Sequence, residues 1–259
     1  YMGLVDDKNR TNFYDGKIRI VDPKGNEYAK FDVHEYEKYI AEHVEPWTFV
    51  KFPYLKKVGW KGFVDGEDSG IMCVAPLARL NVADSMATPK AQEAFEEMFE
   101  TIGSKPVHHT LAMHWARIIE MIYAAERMKE LANDPELTDP NVRVNPTETP
   151  SVGISAVEAP RGLLIHHYET DENGIIKKAN LLVATQHNAA RIALSVDKAA
   201  RNLIREGKVD DGLLNMVEMA FRAYDPCHAC ATHSIPGSMP LAIYLYNLKG
   251  ELIEIIKRE

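Results

Sequence analysis

The stretch DPCHACATH, residues 225–233, sets two cysteines, two histidines and an aspartate in nine positions of a chain that has only three cysteines. A CxxC spacing lets both sulfurs turn to one side of a tight turn, where they can hold a single metal ion. The local donors are Cys227, Cys230 and either His228 or His233. Four ligands so close together would crowd a closed zinc site, and no second CxxC is present to complete one. Haem attachment requires a histidine directly after the second cysteine, where Ala231 stands. A thioredoxin-like pair would open a helix after a strand near the front of a βαβ unit, whereas this pair follows a helix near the chain's end. Two buried thiols without a metal remain the bland alternative.

Working outward, the residues before the motif read as helix. Leu214, Val217, Phe221 and Tyr224 repeat at helical spacing and deliver the chain into Asp225 and Pro226, and a preceding helix carries Ile192, Val196, Ala199 and Leu203. Upstream of these, RGLLIHHYETDENGIIKKANLLVAT reads as a hairpin turning at Asp171–Gly174. After the motif, PLAIYLYNLKGELIEIIK reads as strand, turn at 247–250, strand.

The first half opens with a hairpin, KIRIV from Lys17, DPKG at 22–25, then NEYAKF. Residues 45–70 carry aromatics without period and are expected to form an ordered loop packed by Trp47, Phe49, Phe52, Tyr54 and Trp60. A helix follows Thr88 and Pro89, a cap and first-turn proline, with Ala91, Ala94, Phe95, Met98, Phe99 and Ile102 as its buried stripe. A longer helix from about Thr110 to Asn133 is expected to bury Leu111, Trp115, Ile118, Ile122 and Ala125. Four prolines between 135 and 150 mark a surface connection. The fold class expected is mainly α with small β-hairpins (α+β), as one domain over residues 1–259.

With 259 residues, 46% hydrophobic and 26% charged, the chain has material for a substantial core. A net charge of −8 argues against a nucleic-acid partner. The longest apolar runs, such as LLVA at 181–184, are far too short to span a bilayer, and no leader is visible, so a cytoplasmic setting is expected. The first residue is Tyr1 and no cap or leader signal follows it, so the chain is expected to be the back part of a longer polypeptide.

DPCxxCxxH near the C-terminus resembles the second cysteine motif of the large subunit of nickel-iron hydrogenases. VEAPRGLLIHHY at 157–168, ANLLVATQHN at 179–188, VAPLARLNVAD at 74–84 and LAMHWARIIEMIYAAER at 111–127 are similar to further family segments in the same order. The likeness is nearest to cytoplasmic enzymes that reduce a deazaflavin coenzyme or pass electrons to heterodisulfide reductase. It implies a hydrogenase large-subunit-like helical core and a nickel-iron centre with carbon monoxide and cyanide on iron.

By that resemblance, Cys227 is a terminal nickel ligand and Cys230 bridges nickel and iron, a role suited to soft thiolates. His233 and the backbone carbonyl of Leu181 hold a magnesium ion, Thr185 donates to a cyanide, and Arg161 hangs over the open metal position held by Asp225. The reaction implied is heterolytic cleavage of H2, with Cys227 and Arg161 as candidate bases; a guanidinium is a poor base, so Arg161 acts by its charge unless the site is dry. Three cysteines are too few for an iron–sulfur cluster of the chain's own, so electrons leave through an iron–sulfur small subunit to reach an acceptor subunit.

The sequence departs from the family pattern in lacking the N-terminal CxxC, a proton-relaying glutamate and a magnesium-binding glutamate. Truncation at Tyr1 accounts for this most simply; the alternative is a noncatalytic metal-binding or scaffold homologue. Residues 234–259 are similar to the tail that a maturation protease removes. Cys73 is expected to be a buried small hydrophobe, and His108, His109 and His114 structural. His166 and His167 alternate faces, so at most one faces the site, and His228 neighbours the thiols.

Overall fold

The computed structural model describes residues 1–232 and 241–258. Strand β1 (Met2–Val5) pairs antiparallel with β2 (Lys17–Val21), and β2 with β3 (Glu27–Phe31), so the expected hairpin belongs to a three-stranded sheet. Its turn forms because Asp22 accepts the amides of Lys24 and Asn26 while Gly25 takes φ +88°. All four residues of β1 are buried, so it shows no polar–apolar alternation and escapes a period-two reading.

A single turn, α1 (Tyr36–Tyr39), leads into the antiparallel pair β4 (Ile40–Val44) and β5 (Lys51–Leu55). Strand β5 corrects the expectation of an irregular loop over 45–70: Pro53 argues against a strand but is tolerated in this two-stranded ribbon. The aromatic packing holds for Trp47, Phe52, Tyr54 and Trp60, which meet one another and Phe63 at ring separations of 5.2–6.0 Å. Phe49 does not join them and is 86% exposed.

Helix α2 (Pro76–Val82) is buried at every position, including Arg79. Helix α3 (Pro89–Ile102) buries Ala91, Phe95 and Met98 as expected and ends at Gly103 in the left-handed region. Helix α4 (Ala112–Leu131) forms where expected but shows a different face to the core. It buries Met113, Ala116, Ile119, Glu120 and Tyr123, while Leu111 and Ile118 are more than half exposed. Apolar residues ring this helix, so two stripes fit the 3.6-residue period and sequence spacing cannot choose between them. Thr88 makes no capping bond to α3; Glu126 of α4 caps it instead by accepting the amides of Lys90 and Ala91.

Residues 139–150 are exposed throughout, as a surface connection should be. Strands β6 (Val152–Ala159), β7 (Gly162–Thr170) and β8 (Ile176–Leu182) form an antiparallel sheet, so the expected hairpin gains β6 as a third strand. Helices α5 (Ala184–Leu203) and α6 (Asp211–Arg222) match their apolar spacing, and a short α7 (His228–Thr232) follows. Strands β9 (Leu241–Tyr246) and β10 (Leu252–Arg258) form the terminal hairpin.

Two large buried clusters result, beside a small one of Val5, Val21, Val82 and Ala83. One joins α2, α3 and α4 to Ile192 of α5 and Tyr224; the other joins the sheets of β1–β3 and β6–β8 through Met72 and Val74. Among the described residues no helix is long and apolar enough to cross a membrane.

Candidate functional site

Arg161 occupies the tip of the β6–β7 hairpin, since Ala159 pairs with Gly162 and leaves only Pro160 and Arg161 in the turn. The tip is fixed from below. Arg79 donates to the carbonyls of Ala159 (2.7 Å) and Pro160 (3.2 Å), and Asn188 Nδ2 donates to that of Arg161 (3.1 Å). Asn188 Oδ1 accepts the Val74 amide at 2.9 Å, tying the tip to the segment before α2. Gly162 at φ +133° lies against the same Val74; a Cβ there would collide with its carbonyl.

The side chain of Arg161 reaches the end of α6. Its Nε lies 3.2 Å from Asp225 Oδ2 and also donates to the Asp225 carbonyl. Asp225 stands in the left-handed region at φ +51°, a costly conformation for a non-glycine residue, and bonds Arg222 through its amide. Pro226 then redirects the chain so that Cys227 immediately precedes α7, its carbonyl accepting the Ala231 amide at 3.1 Å. The pair therefore stands at the start of a short helix as well as after a long one.

Thr185, buried in the first turn of α5, accepts the Cys227 amide at 3.2 Å. A hydroxyl has one proton to give beyond the bonds it accepts, so Thr185 can hold the Cys227 backbone and still donate. Cys227 and Cys230 are joined as a disulfide, with Cα atoms 5.3 Å apart. Both sulfurs thus converge on one point, and once reduced they form half of a soft donor set. Among the described residues no group of three or more histidine, cysteine or carboxylate ligands stands together, so these two thiolates are the donors this region offers. They fit a nickel-iron centre as two of its thiolates.

Leu181, at the end of β8, and Thr232, at the end of α7, line one cleft with Glu42, Lys51 and Gln186. Gln186 donates to Glu42 at 2.7 Å. His233 lies outside the described residues. His228 packs edge-on against Phe221, and His167 is buried against the Tyr36 hydroxyl at 2.9 Å while His166 lies on the opposite face. Cys73 is buried, as expected, with its thiol pushed up by burial.

Sequence reasoning missed the group beneath the tip. Arg79 forks onto both Glu120 oxygens at 2.6 Å and meets Glu158 Oε2 at 3.0 Å, all three buried. Glu158 Oε1 also accepts the Leu4 amide at 2.7 Å. Burial pushes Glu158 up to about 7 against the pull of Arg79 and that amide, while the two carboxylates hold Arg79 firmly charged. The signal available in sequence was one arginine inside the otherwise uncharged helix PLARLNV.

A thiol pair ahead of a short helix, with the Cys227 amide held by Thr185 and an arginine tip beside it, is a candidate thiolate site on an α+β scaffold. The chain belongs to the nickel-dependent hydrogenase family, whose model matches residues 13–233. It is 52% identical over 258 residues to the iron-sulfur subunit of an F420-non-reducing hydrogenase from Archaeoglobus profundus, covering 99% of this chain and 53% of that protein. It is 40% identical to the NAD-reducing hydrogenase HoxS subunit beta of Cupriavidus necator, covering 98% of this chain and 51% of that one. The chain therefore spans about half the length of the curated relatives it matches. Among solved structures, an NAD+-reducing NiFe-hydrogenase in the H2-reduced state superposes with a TM-score of 0.82 at 35% identity, over 90% of this chain and 50% of that one. A NiFeSe hydrogenase from Desulfovibrio vulgaris Hildenborough, at 20% identity and a TM-score of 0.57, shares the fold.

Proposed function

We propose that this chain, as one domain over residues 1–259, is the C-terminal part of a catalytic hydrogenase large subunit that cleaves H2 heterolytically. The observation that carries the reading is the joint placement of Arg161, Asp225, Thr185 and the Cys227–Cys230 pair at one helix end. When bound, the nickel-iron centre, with carbon monoxide and cyanide on iron, supplies the two-electron redox chemistry. Cys227 and Cys230 would hold that centre as two of its thiolates, and Cys227 would also accept the proton released from H2. Thr185 directs its free hydroxyl proton to a cyanide, and Arg161, steadied by Asp225, presents positive charge over the reacting position.

Magnesium would be held at the Leu181 carbonyl, in the cleft that Glu42 also lines; His233, the second proposed holder, lies outside the described residues. The remaining metal thiolates come from a preceding segment of the full-length subunit. Electrons pass to an iron–sulfur small subunit, then to an acceptor subunit; relatives named F420-non-reducing favour a heterodisulfide-reductase type of acceptor over a deazaflavin-reducing one. A maturation protease removes residues 234–259, and the complex works in the cytoplasm.

The test is exchange of H2 with D2O by the full-length subunit in its complex. Wild-type protein should form HD, and Cys230→Ser should lose both nickel and exchange. Exchange that survives loss of Cys230 would place the chemistry elsewhere.

A further inference from the structure

Three consecutive carbonyls at the hairpin tip, those of Ala159, Pro160 and Arg161, each accept a bond from a buried side chain. Arg79 supplies two of the three bonds, and its remaining donors are committed to Glu120 and Glu158. A surface hairpin needs no such device, because water satisfies its carbonyls. Burying a guanidinium is costly unless it is paired, and here two carboxylates from α4 and β6 hold it in one orientation. The planar fork meets Glu120 through two parallel bonds while the same cation reaches the tip, a geometry a lysine ammonium cannot reproduce.

We infer that Arg79 is a positioning residue for Arg161: it fixes the Ala159–Pro160 backbone so that the Arg161 side chain meets Asp225 beside Cys227. The inference rests on the proposed function for its catalytic consequence, and on the contacts of the tip alone for its structural one. Glu158 belongs to the same device. It joins the end of β6 to Arg79 and to the Leu4 amide of β1, so the tip is braced by the sheet as well as by α2.

The experiment is a double-mutant cycle on the full-length subunit in its complex, with Arg79→Lys, Arg161→Lys and the double variant, read by H2 turnover and by backbone amide exchange. Arg79→Lys should raise amide exchange at residues 159 and 161–163 about tenfold while α3 stays protected. It should lower turnover about ten- to a hundredfold when Arg161 is present and cause no further loss once Arg161 is lysine. Equal fold losses in both backgrounds, or unchanged exchange at the tip, would overturn the inference. If Arg79→Lys does not accumulate as folded protein, Glu120→Gln, which loosens the fork and leaves Arg79 its charge, enters the same cycle under the same criteria. A wild-type complex without H2 turnover would remove the proposed function, and amide exchange at the tip would still decide whether Arg79 holds it.

Discussion

Arg161 lies 3.2 Å from the carboxylate of Asp225, and the two residues come from different halves of the site: a hairpin tip and the end of a helix. This ion pair helps join the β6–β8 sheet to the start of the cysteine motif. It is partly exposed, so its contribution to stability is small; its value lies in aiming the guanidinium.

Replacing that guanidinium by an ammonium keeps the charge and loses the direction. Arg161→Lys should therefore leave nickel content and folding unchanged and lower H2 turnover about a hundredfold. Steady-state rates with metal analysis on the same samples check this, and a variant turning over at the wild-type rate would deny Arg161 its role.

Thr185 anchors the Cys227 amide from a buried position. Thr185→Val keeps the shape but leaves that amide unpaired, which should cost about 1–3 kcal/mol in denaturant unfolding. Thr185→Ser retains the hydroxyl and should recover most of the loss. The same pair of variants should shift and then restore the cyanide infrared bands of the assembled enzyme.

Gly162 has no room for a side chain and sits at φ +133°. Gly162→Ala must move the Val74 backbone or the hairpin tip, and we expect a loss of about 3 kcal/mol or more, with Arg161 displaced from Asp225. Thermal unfolding reads the first effect, and metal retention by the maturing subunit reads the second.

Two buried groups act in opposite directions as pH falls. His187 is depressed by burial from 6.5 to about 4, so the unfolded chain takes up a proton before the folded one does, and stability is lost as pH drops from 6.5 toward 4. Glu158 is raised by burial from 4.5 to about 7, so the folded chain takes up a proton first, and stability is gained as pH drops from 7 toward 4.5. Their effects offset each other in the intact protein. Glu158→Gln should make the melting temperature fall more steeply on acidification, and His187→Asn should flatten or reverse that fall. Parallel pH profiles for the three proteins would contradict both assignments.

Much of the scaffold was legible because local chemistry dictates it. The 17–31 hairpin announces itself by alternation and an Asp-Pro-Lys-Gly turn, and α5 and α6 by apolar spacing. The buried face of α4 was not legible, because apolar residues surround the helix and only its neighbours select Ile119 over Ile118. Strand β5 was hidden by Pro53, and β6 by the lack of a clean alternation at its exposed start. Of the site, the cysteines, Thr185, Arg161 and Asp225 came from motif resemblance, and the structure brings all five together. The brace under Arg161 was invisible, since Arg79 meets Glu120 and Glu158 across 41 and 79 residues of chain.

Cys227 and Cys230 are proposed to hold a nickel-iron centre. An infrared spectrum of the anaerobically purified full-length complex tests it most directly, because carbon monoxide and cyanide on iron absorb where protein does not. These bands should be present in wild-type protein and lost in Cys230→Ser. Tail-processed, full-length complex without the bands would contradict it and leave the two thiols to some other metal or to a disulfide.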